Sequence, residues 1–397
     1  MLNMREERGK VIAQERAITK VEGGYLVDSQ HSDKKYFVDE HLDNCTCPDC
    51  KTRQVKCKHA FAVQYFLQKV VTKKGVTMIQ TERLTYPQAW SAYNKSQETE
   101  KTRFMELLSD LVQTTEQKEY VFGRPKISDQ DLLFASALKV YSQFSLRRFM
   151  SDLGEAKEKG LVEDKPCFAS VGHFIQNKSL TPQLKELIKK SASVLKSVES
   201  KFAIDSTGFR TTKFSAYCVG KYDTRQKHEF LKLHAVIGTK TNVICACEVT
   251  ESEGEGTGDS SLLQPLALQT SNAGFQIKEF SGDMAYSSRK STEVITGLGG
   301  TPYFPFRASA TGRAKGSGAW KKMFHYFQMN QEEFMQHYHA RSNIESTFFA
   351  LKTKFNDCLK SKTLTAQINK LLLKVLCFNI VQVIHETNEL GIKTEFN

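Results

Sequence analysis

Hydrophobic and polar positions divide the chain into a short-period N-terminal part and longer segments with helical or strand-like patterns. Between residues 11 and 47, apolar and polar residues alternate in short runs that break at Gly23–Gly24 and Ser32–Asp33, as hairpin turns would break them. This alternation predicts a small antiparallel sheet. The apolar run from His59 to Val71 then predicts a helix.

Residues 96–200 have mainly helical periodicity. Ser128 precedes an apolar periodic run as a helix N-cap would, and Ser145 can cap a second short helix that carries Arg147 and Arg148. Two short helices with basic residues are typical of a helix-turn-helix motif that reads DNA. They are equally typical of a packing element beside a catalytic domain, and the sequence leaves both interpretations open.

Strand and helix patterns follow one another between residues 201 and 360, in the order three strands, helix, strand, helix, strand, helix. The first strand ends at Asp205, close to the turn residue Gly208, and the fourth strand ends at Asp283. An aspartate at a strand end is well placed to face a bound metal ion. Asp259 precedes a helix, where it is either a cap or an auxiliary acidic residue near such a site.

The last helix in this order is predicted from Gln336 to Phe355, a stretch without proline or glycine. Four polar side chains recur within it at spacings of three, four and seven residues, which place them on one helix face. They are Tyr338, Arg341, Glu345 and Lys352. One carboxylate thus stands among two cations and a phenol. Chance pairing on an exposed helix is the alternative explanation.

The segment from residue 361 to the C-terminus is dominated by one strongly apolar helix that begins after Thr363 or Thr365. We expect this helix to pack against the sheet of the preceding domain, with a dimer interface as the alternative. No apolar run predicts a transmembrane helix, and the N-terminus has no apolar signal-peptide core. We therefore expect a cytoplasmic protein that does not bind a membrane.

The composition of the chain indicates what kind of molecule it binds. The chain has 397 residues, enough for two or three domains, and a net charge of +12 with a pI near 9.1. A basic balance of this kind favours a polyanionic partner, most simply nucleic acid.

Ten cysteines in a cytosolic chain indicate metal ligands and buried thiols rather than a disulfide framework. Cys45-x-Cys47 is followed by Cys57-x-His59, and three thiolates with one imidazole suit a tetrahedral structural Zn²⁺ site. The first pair follows the predicted sheet and the second opens the predicted helix. Cys50 is a further thiol that could compete as a ligand. This pattern resembles the SWIM zinc finger, a module that binds DNA or protein.

The spacing Tyr-x2-Arg-x3-Glu-x6-Lys resembles the third catalytic block of DDE transposases from bacterial and archaeal insertion sequences. The resemblance implies that Glu345 is the last of three metal-binding carboxylates. The other two are expected upstream at strand ends, where Asp205 and Asp283 lie. Asp283-x-Ala285-Tyr286 also resembles the second block of the family.

The family also implies the cofactor and the DNA contacts of this region. The three carboxylates would bind Mg²⁺ or Mn²⁺. Tyr338, Arg341 and Lys352 would contact transposon-end DNA, and Arg147 and Arg148 would join them if the helical region binds DNA.

The implied fold is an α/β catalytic domain of ribonuclease-H-like type, a mixed five-stranded sheet flanked by helices. Its first and fourth strands would be neighbours at the sheet centre. We expect a small α+β zinc-binding module in residues 1–95, a helical DNA-binding or linker region in 96–200, the catalytic domain in 201–360, and a C-terminal helix in 361–397 that packs on the catalytic domain.

The implied function is a transposase that binds the terminal inverted repeats of its insertion sequence. It would cleave the ends and join their 3′-hydroxyls to target DNA, acting on double-stranded DNA as a homodimer or higher oligomer. Some family members carry a large β-rich insertion before the last carboxylate, for which this chain has no room. The basic loop Arg307–Lys322 is a candidate DNA contact in its place. The alternatives are a transposase-derived DNA-binding protein without catalysis and a nuclease of the same fold.

Overall fold

The computed structural model of the chain forms two compact units, Met1–Gln88 and Ala89–Asn397. The described residues are 4–15, 18–21, 23–29, 34–42, 44–53, 55–72, 75–80, 89–117, 127–211, 230–251, 258–394 and 396. Each unit has its own hydrophobic core.

The described part of the N-terminal unit contains α1 (Met4–Glu15), β1 (Ile18–Val21), β2 (Gly24–Asp28), β3 (Lys35–Asp39), α2 (Pro48–Arg53), α3 (Lys58–Phe66), β4 (Leu67–Thr72) and β5 (Gly75–Gln80). The predicted antiparallel sheet is confirmed, with strand order β1-β2-β3. Residues 11–15 belong to α1 rather than to this sheet. The helix predicted to reach Val71 ends at Phe66, and β4 pairs with β5 in its place. Three β-branched residues in β4 favour the strand.

The C-terminal unit supplies the remaining elements. Its described helices are α4 (Trp90–Gln113), α5 (Asp129–Ser142), α6 (Met150–Glu158), α7 (Phe168–Phe174), α8 (Leu180–Ser193), α9 (Asp259–Asn272), α10 (Arg289–Gly297), α11 (Gly318–Met329), α12 (Gln331–His339), α13 (Ser342–Phe355) and α14 (Leu364–Leu390). Its strands are β6 (Lys201–Arg210), β7 (Phe230–Gly238), β8 (Ile244–Glu251), β9 (Glu279–Gly282) and β10 (Thr301–Tyr303).

The five strands form one mixed sheet in the order β10-β9-β6-β7-β8. β6 is antiparallel to β7 and parallel to β9, so the first and fourth strands of the predicted order are neighbours, as expected. Helices flank the sheet, and side chains from both share one core. The predicted mixed five-stranded sheet with flanking helices is therefore confirmed. The further division of this unit at residues 200 and 360 stays a prediction.

The first strand is longer than predicted. β6 continues past Asp205 to Arg210, because its antiparallel pairing with β7 continues as far as Phe230. Pairing with β9 stops earlier, at Ile204 opposite Gly282. Asp205 therefore lies in the middle of a strand, at the point where one of its two neighbours ends.

The helices that precede the sheet agree with the sequence-based prediction at Ser128 but not at Ser145. The Ser128 hydroxyl accepts a hydrogen bond from the amide of Asp131 and caps α5, as predicted. The next helix, α6, begins at Met150. Arg147 and Arg148 thus lie in the turn before it and not on a helix as predicted. The amide of Arg148 donates to the Ser145 hydroxyl, so this serine stabilises the turn instead.

The C-terminal helix α14 begins after Thr363, whose hydroxyl accepts from the amide of Ala366. It packs against α4, α5, α8 and the edge strand β8. By length and composition it could cross a bilayer, contrary to our interpretation of the sequence. Because 78% of its most apolar window is buried inside the protein, packing accounts for its apolar residues.

Asn379 ties α14 to the sheet and provides a test of this packing. Its side chain is fully buried, accepts from the amide of Ile244 at 2.9 Å and donates to the Ile244 carbonyl at 2.8 Å. Replacing Asn379 by Leu leaves both backbone groups buried without partners, so we expect a loss of about 3 kcal/mol in unfolding free energy. Urea denaturation measures it. The half-buried Asn388 on the same helix is the control, and an equal loss in Asn388→Leu would contradict this account.

Candidate active site and metal centre

Adjacent parallel strands bring the first two carboxylates together. Ile204 pairs with Gly282, so the next residue on each chain, Asp205 and Asp283, emerges at the same edge of the sheet. Burial raises the pKa of Asp205, and the negative charge of Asp283 adds to the rise, while the Ser206 amide and the nearby guanidinium of Arg341 oppose it. The two carboxylates are therefore electrostatic neighbours.

Local backbone structure holds Asp283 in place. Its carboxylate accepts a hydrogen bond of 2.9 Å from the amide of Ala285 and caps the 3-10 turn Met284–Tyr286. Gly282 precedes it in a tight position, where an added Cβ would lie 2.9 Å from the side chain of Ile204. A larger residue there would push the two strands apart at the level of the aspartates.

The helix predicted from Gln336 to Phe355 is divided into α12 and α13. At the junction, the amides of Arg341 and Ile344 donate to carbonyls three residues earlier, at 2.9 and 3.0 Å, instead of four. α12 packs against β9 and β10, whereas α13 packs against β6 and α14. The prediction of one continuous helix was wrong because the two halves lie on different surfaces.

Arg341 stands at this junction and binds two of the carboxylates at once. Its guanidinium donates to Asp205 at 2.6 Å and to Glu345 at 2.9 Å. Burial lowers the pKa of Arg341, but the charges of Asp205, Glu345 and Asp283, with the phenol of Tyr338, raise it overall. The side chain of Glu345 is 63% exposed. Two of the three predicted carboxylates thus pair with one half-buried guanidinium, and the third, Asp283, is near enough for its charge to act on it.

The other two members of the predicted row have different surroundings. Lys352 donates to the Thr207 hydroxyl at 2.6 Å and lies 5.3 Å from the centre of the Phe209 ring. Burial lowers the pKa of Lys352. Tyr338 lies on α12 and is half-buried against an aromatic cluster that includes Trp320. Lys352 therefore reaches the strand of Asp205, while Tyr338 approaches from the other helix.

A second acidic group, which the sequence left ambiguous, lies next to these carboxylates. Asp259 does not cap α9, since Gly258 holds that position. Its carboxylate instead accepts from the Ser206 hydroxyl at 2.9 Å and from Lys232 at 2.7 Å. Burial raises the pKa of Tyr286, and the charges of Asp259, Asp205 and Asp283 raise it further. The interpretation of Asp259 as an auxiliary acidic residue is therefore favoured.

Two buried side chains near this group were not singled out for a role by the sequence. The hydroxyl of Tyr286 has no hydrogen-bond partner in the described part of the chain, although the ring is 1% exposed. His234 is fully buried, with one ring nitrogen 3.3 Å from Asp259 and the other 3.0 Å from Thr250. Burial lowers the pKa of His234. The only sequence signal for Tyr286 was its position in the second motif block.

Arg147 and Arg148 are exposed. Arg147 lies over the ring of Phe168, 4.7 Å from its centre. The contacts found for these two arginines are all within the helical part of the unit and do not include the carboxylates.

The N-terminal unit contains the predicted metal-ligand set. Cys45, Cys47, Cys57 and His59 are all buried, and their ligand atoms lie within 4.8 Å of one another. Nδ1 of His59 is 3.9 Å from the sulfurs of both Cys45 and Cys57. Two ligands of a tetrahedral zinc ion at about 2.3 Å are about 3.7 Å apart, so this arrangement fits Zn²⁺. Cys50 lies outside the set and donates its amide to Cys47.

The thiols of the set differ in their ionisation. The hydrogen bond between Cys45 and Cys57 lowers the pKa of Cys57 and raises that of Cys45, and burial raises the pKa of Cys47. A thiolate is the form of cysteine that binds metal. Among the described residues, this is the one group of Cys, His, Asp and Glu side chains close enough to hold an ion as arranged. The three carboxylates have suitable oxygen donors, but Arg341 lies between two of them.

One family of known proteins matches the segment that carries the three carboxylates. Residues 196–380 match the sequence model of the family described as transposase DDE domain, a segment that includes Asp205, Asp283 and Glu345. A search of curated proteins gave no match. Among solved structures, the chain is similar to a piggyBac transposase synaptic complex with hairpin DNA, at 9% identity over 83% of this chain and 80% of that chain, with a TM-score of 0.35. Residues 196–380 of the chain are thus similar to a transposase DDE domain.

Proposed function

We propose that this protein is a DNA transposase that cleaves the ends of its insertion sequence and joins the 3′-hydroxyls to target DNA. Asp205, Asp283 and Glu345 are its catalytic carboxylates. The observation that carries this proposal is the pairing of Arg341 with both Asp205 and Glu345, while Asp283 follows the parallel strand next to that of Asp205. The strand order β10-β9-β6-β7-β8 supports a ribonuclease-H-like domain.

The donor set fits hard divalent cations. Mg²⁺ and Mn²⁺ prefer oxygen ligands, and three carboxylates carry about −3 against about +4 for two ions, which leaves charge for the scissile phosphate. When bound, the ions supply an activated nucleophile and a stabilised leaving oxygen. Asp205, Asp283 and Glu345 would hold them.

Arg341 and Lys352 have complementary tasks in this proposal. The guanidinium of Arg341 offsets part of the negative charge of Asp205 and Glu345. It also presents the planar donor fork that suits a phosphate. Lys352 is held by Thr207 as a point charge for a flanking phosphate. Tyr338 would stack on or hydrogen-bond to the DNA beside them.

A competition between Arg341 and metal ions follows from this arrangement. In Arg341→Gln, two carboxylates lose their cation, so we expect a lower Tm in EDTA and a larger rise in Tm on adding Mn²⁺ than in the wild type. Thermal denaturation with and without Mn²⁺ measures both. Arg289→Gln, which removes a guanidinium that lies over Trp320 instead, is the control. Equal Mn²⁺ responses in all three proteins would exclude the competition.

The N-terminal unit is proposed to be a SWIM-type zinc finger with Zn²⁺ on Cys45, Cys47, Cys57 and His59. It would bind DNA or protein. The partners are double-stranded transposon ends and target DNA, and pairing two ends calls for at least two copies of the chain. Such a protein acts in the cytoplasm, on the DNA of a prokaryotic nucleoid.

A strand-transfer assay tests the proposal. A labelled duplex that carries the element's own end is incubated with supercoiled plasmid and Mg²⁺ or Mn²⁺, using wild type and Glu345→Ala. We expect label joined to plasmid with the wild type alone. Tight binding of the end without joining by either protein would support the binding protein without catalysis. Cleavage without joined products would support the nuclease.

A further inference from the structure

A cavity of about 510 Å³ lies in the C-terminal unit, between α5, α7, the segment after α13 and the first turns of α14. Its lining contains five lysines and no aspartate or glutamate. The five are Lys139, Lys360, Lys362, Lys370 and Lys374. Chain segments that are far apart in sequence thus place five lysine side chains, and no acidic one, around one cavity.

These lysines are short of anionic partners. Lys374 is 2% exposed and donates to two neutral carbonyls, those of Asn356 at 2.6 Å and Cys358 at 3.3 Å. Lys139 and Lys370 are half-buried, and within the described residues their ammonium groups make no hydrogen bond or ion pair. Burying like charges without a counter-charge is costly, so the arrangement favours an anion in the cavity.

The ionisation of the same lysines agrees with this argument. Burial, together with the charges of Lys370 and Lys139, lowers the pKa of Lys374 to about 7, against the opposing effects of Cys358 and Asp357. Burial likewise lowers the pKa of Lys139 to about 8, with Lys370 and Lys360 adding to the shift. A bound phosphate would reverse both shifts, because an opposite charge nearby favours the protonated amine.

The cavity is linked to the candidate active site through one ring. The ammonium groups of Lys352 and Lys374 lie 5.3 and 5.4 Å from the centre of the Phe209 ring, so they are no further apart than the sum of these distances. Lys352 of the candidate active site and Lys374 of the cavity therefore contact the same side chain and are close in space.

An aromatic side chain at the rim narrows the choice of ligand. Phe144 lines the cavity and is 47% exposed, so part of its ring is accessible to a ligand. Proteins that bind single-stranded nucleic acid combine a basic groove with aromatic rings on which bases stack. The volume is that of a small-ligand pocket and takes a nucleotide rather than a duplex.

We propose that this cavity binds a single-stranded segment of DNA adjacent to the cleaved phosphodiester, with a phosphate against Lys139 and Lys370 and a base on Phe144. The proposal rests on the proposed DNA cleavage, since it assigns the cavity to the same substrate.

Equilibrium binding of a fluorescein-labelled single-stranded oligonucleotide to the full chain, in EDTA, tests it. We expect Lys139→Gln/Lys370→Gln to weaken binding at least tenfold and to reduce the slope of log affinity against log salt by about 0.7 for each phosphate that the variant no longer neutralises. Lys157→Gln/Lys196→Gln removes the same charge from two exposed lysines and should change affinity less than twofold. Phe144→Ala, at an exposed position, should weaken single-strand binding about tenfold and duplex binding little.

The following outcomes would contradict the proposal that the cavity binds single-stranded DNA. Equal losses in the two lysine pairs, or no loss in Phe144→Ala, would overturn it. Inorganic phosphate or a mononucleotide that binds through Lys139 and Lys370, with unchanged oligonucleotide binding, would assign the cavity to a free phosphate compound instead. Because the binding assay needs no metal ion, it tests single-strand binding independently of the proposed DNA cleavage. Single-strand binding by a wild type that neither cleaves nor joins DNA would overturn the proposed function alone.

Discussion

Replacing Asp205 by Asn is expected to slow metal-dependent DNA cleavage by at least about 1,000-fold, because removing a metal ligand takes away several kcal/mol of transition-state stabilisation and about 1.4 kcal/mol is tenfold. The fold should survive the change. Asp205 is half-buried beside Asp283, so a neutral amide removes a repulsion, while Arg341 keeps its hydrogen bond to Glu345.

Single-turnover cleavage of a labelled end duplex in Mg²⁺ and in Mn²⁺ measures this effect, with Tm as the test of folding. Asp152→Asn is the matched control, because this carboxylate pairs with Lys101 on the helical part of the unit. It should cleave within about twofold of the wild type. Cleavage by Asp205→Asn at a tenth of the wild-type rate or more would remove Asp205 from the catalytic set.

Replacing Cys57 by Ser is expected to release zinc and unfold the N-terminal unit. The ligands lie within the small core of this unit, beside residues such as Val38 and Ala60. Structural zinc contributes about 10–16 kcal/mol of apparent binding free energy in zinc-finger peptides, more than a core of this size provides. A metal chelator should have the same effect as the substitution.

Zinc content by mass spectrometry and limited proteolysis of residues 1–88 measure both consequences. Cys50→Ser is the control, because Cys50 is a buried thiol outside the ligand set. It should retain one zinc ion per chain and resist protease like the wild type. Zinc released from Cys50→Ser but kept in Cys57→Ser would mean that Cys50 is a ligand in place of Cys57.

Local signals in the sequence were sufficient for much of the fold. Alternation of apolar and polar residues identified the strands, and hydroxyl side chains at helix starts, such as Ser128 and Thr363, identified caps that the structure contains. The Cys/His spacing identified a ligand set that lies together. These features depend only on residues that are close in sequence, so they can be predicted without the tertiary structure.

Contacts between residues far apart in sequence decided those features of the fold and of the candidate site that local sequence signals could not predict. Asp205 became a mid-strand residue because β7 extends the pairing, and the predicted helix broke before Ser342 because its halves pack on different surfaces. Asp259 was ambiguous until the fold placed Ser206 and Lys232 against it.

The sequence by itself therefore determined the five strands of the mixed sheet, a Cys/His set with metal-ligand spacing and the three candidate carboxylates, since each rests on residue type and spacing. Only the tertiary structure decided that Arg341 neutralises Asp205 and Glu345, and that lysines from α5 and α14 share one cavity. The physical reason is that charge interactions depend on distance and burial in space. Neither quantity can be read from positions such as 139 and 370 along the chain.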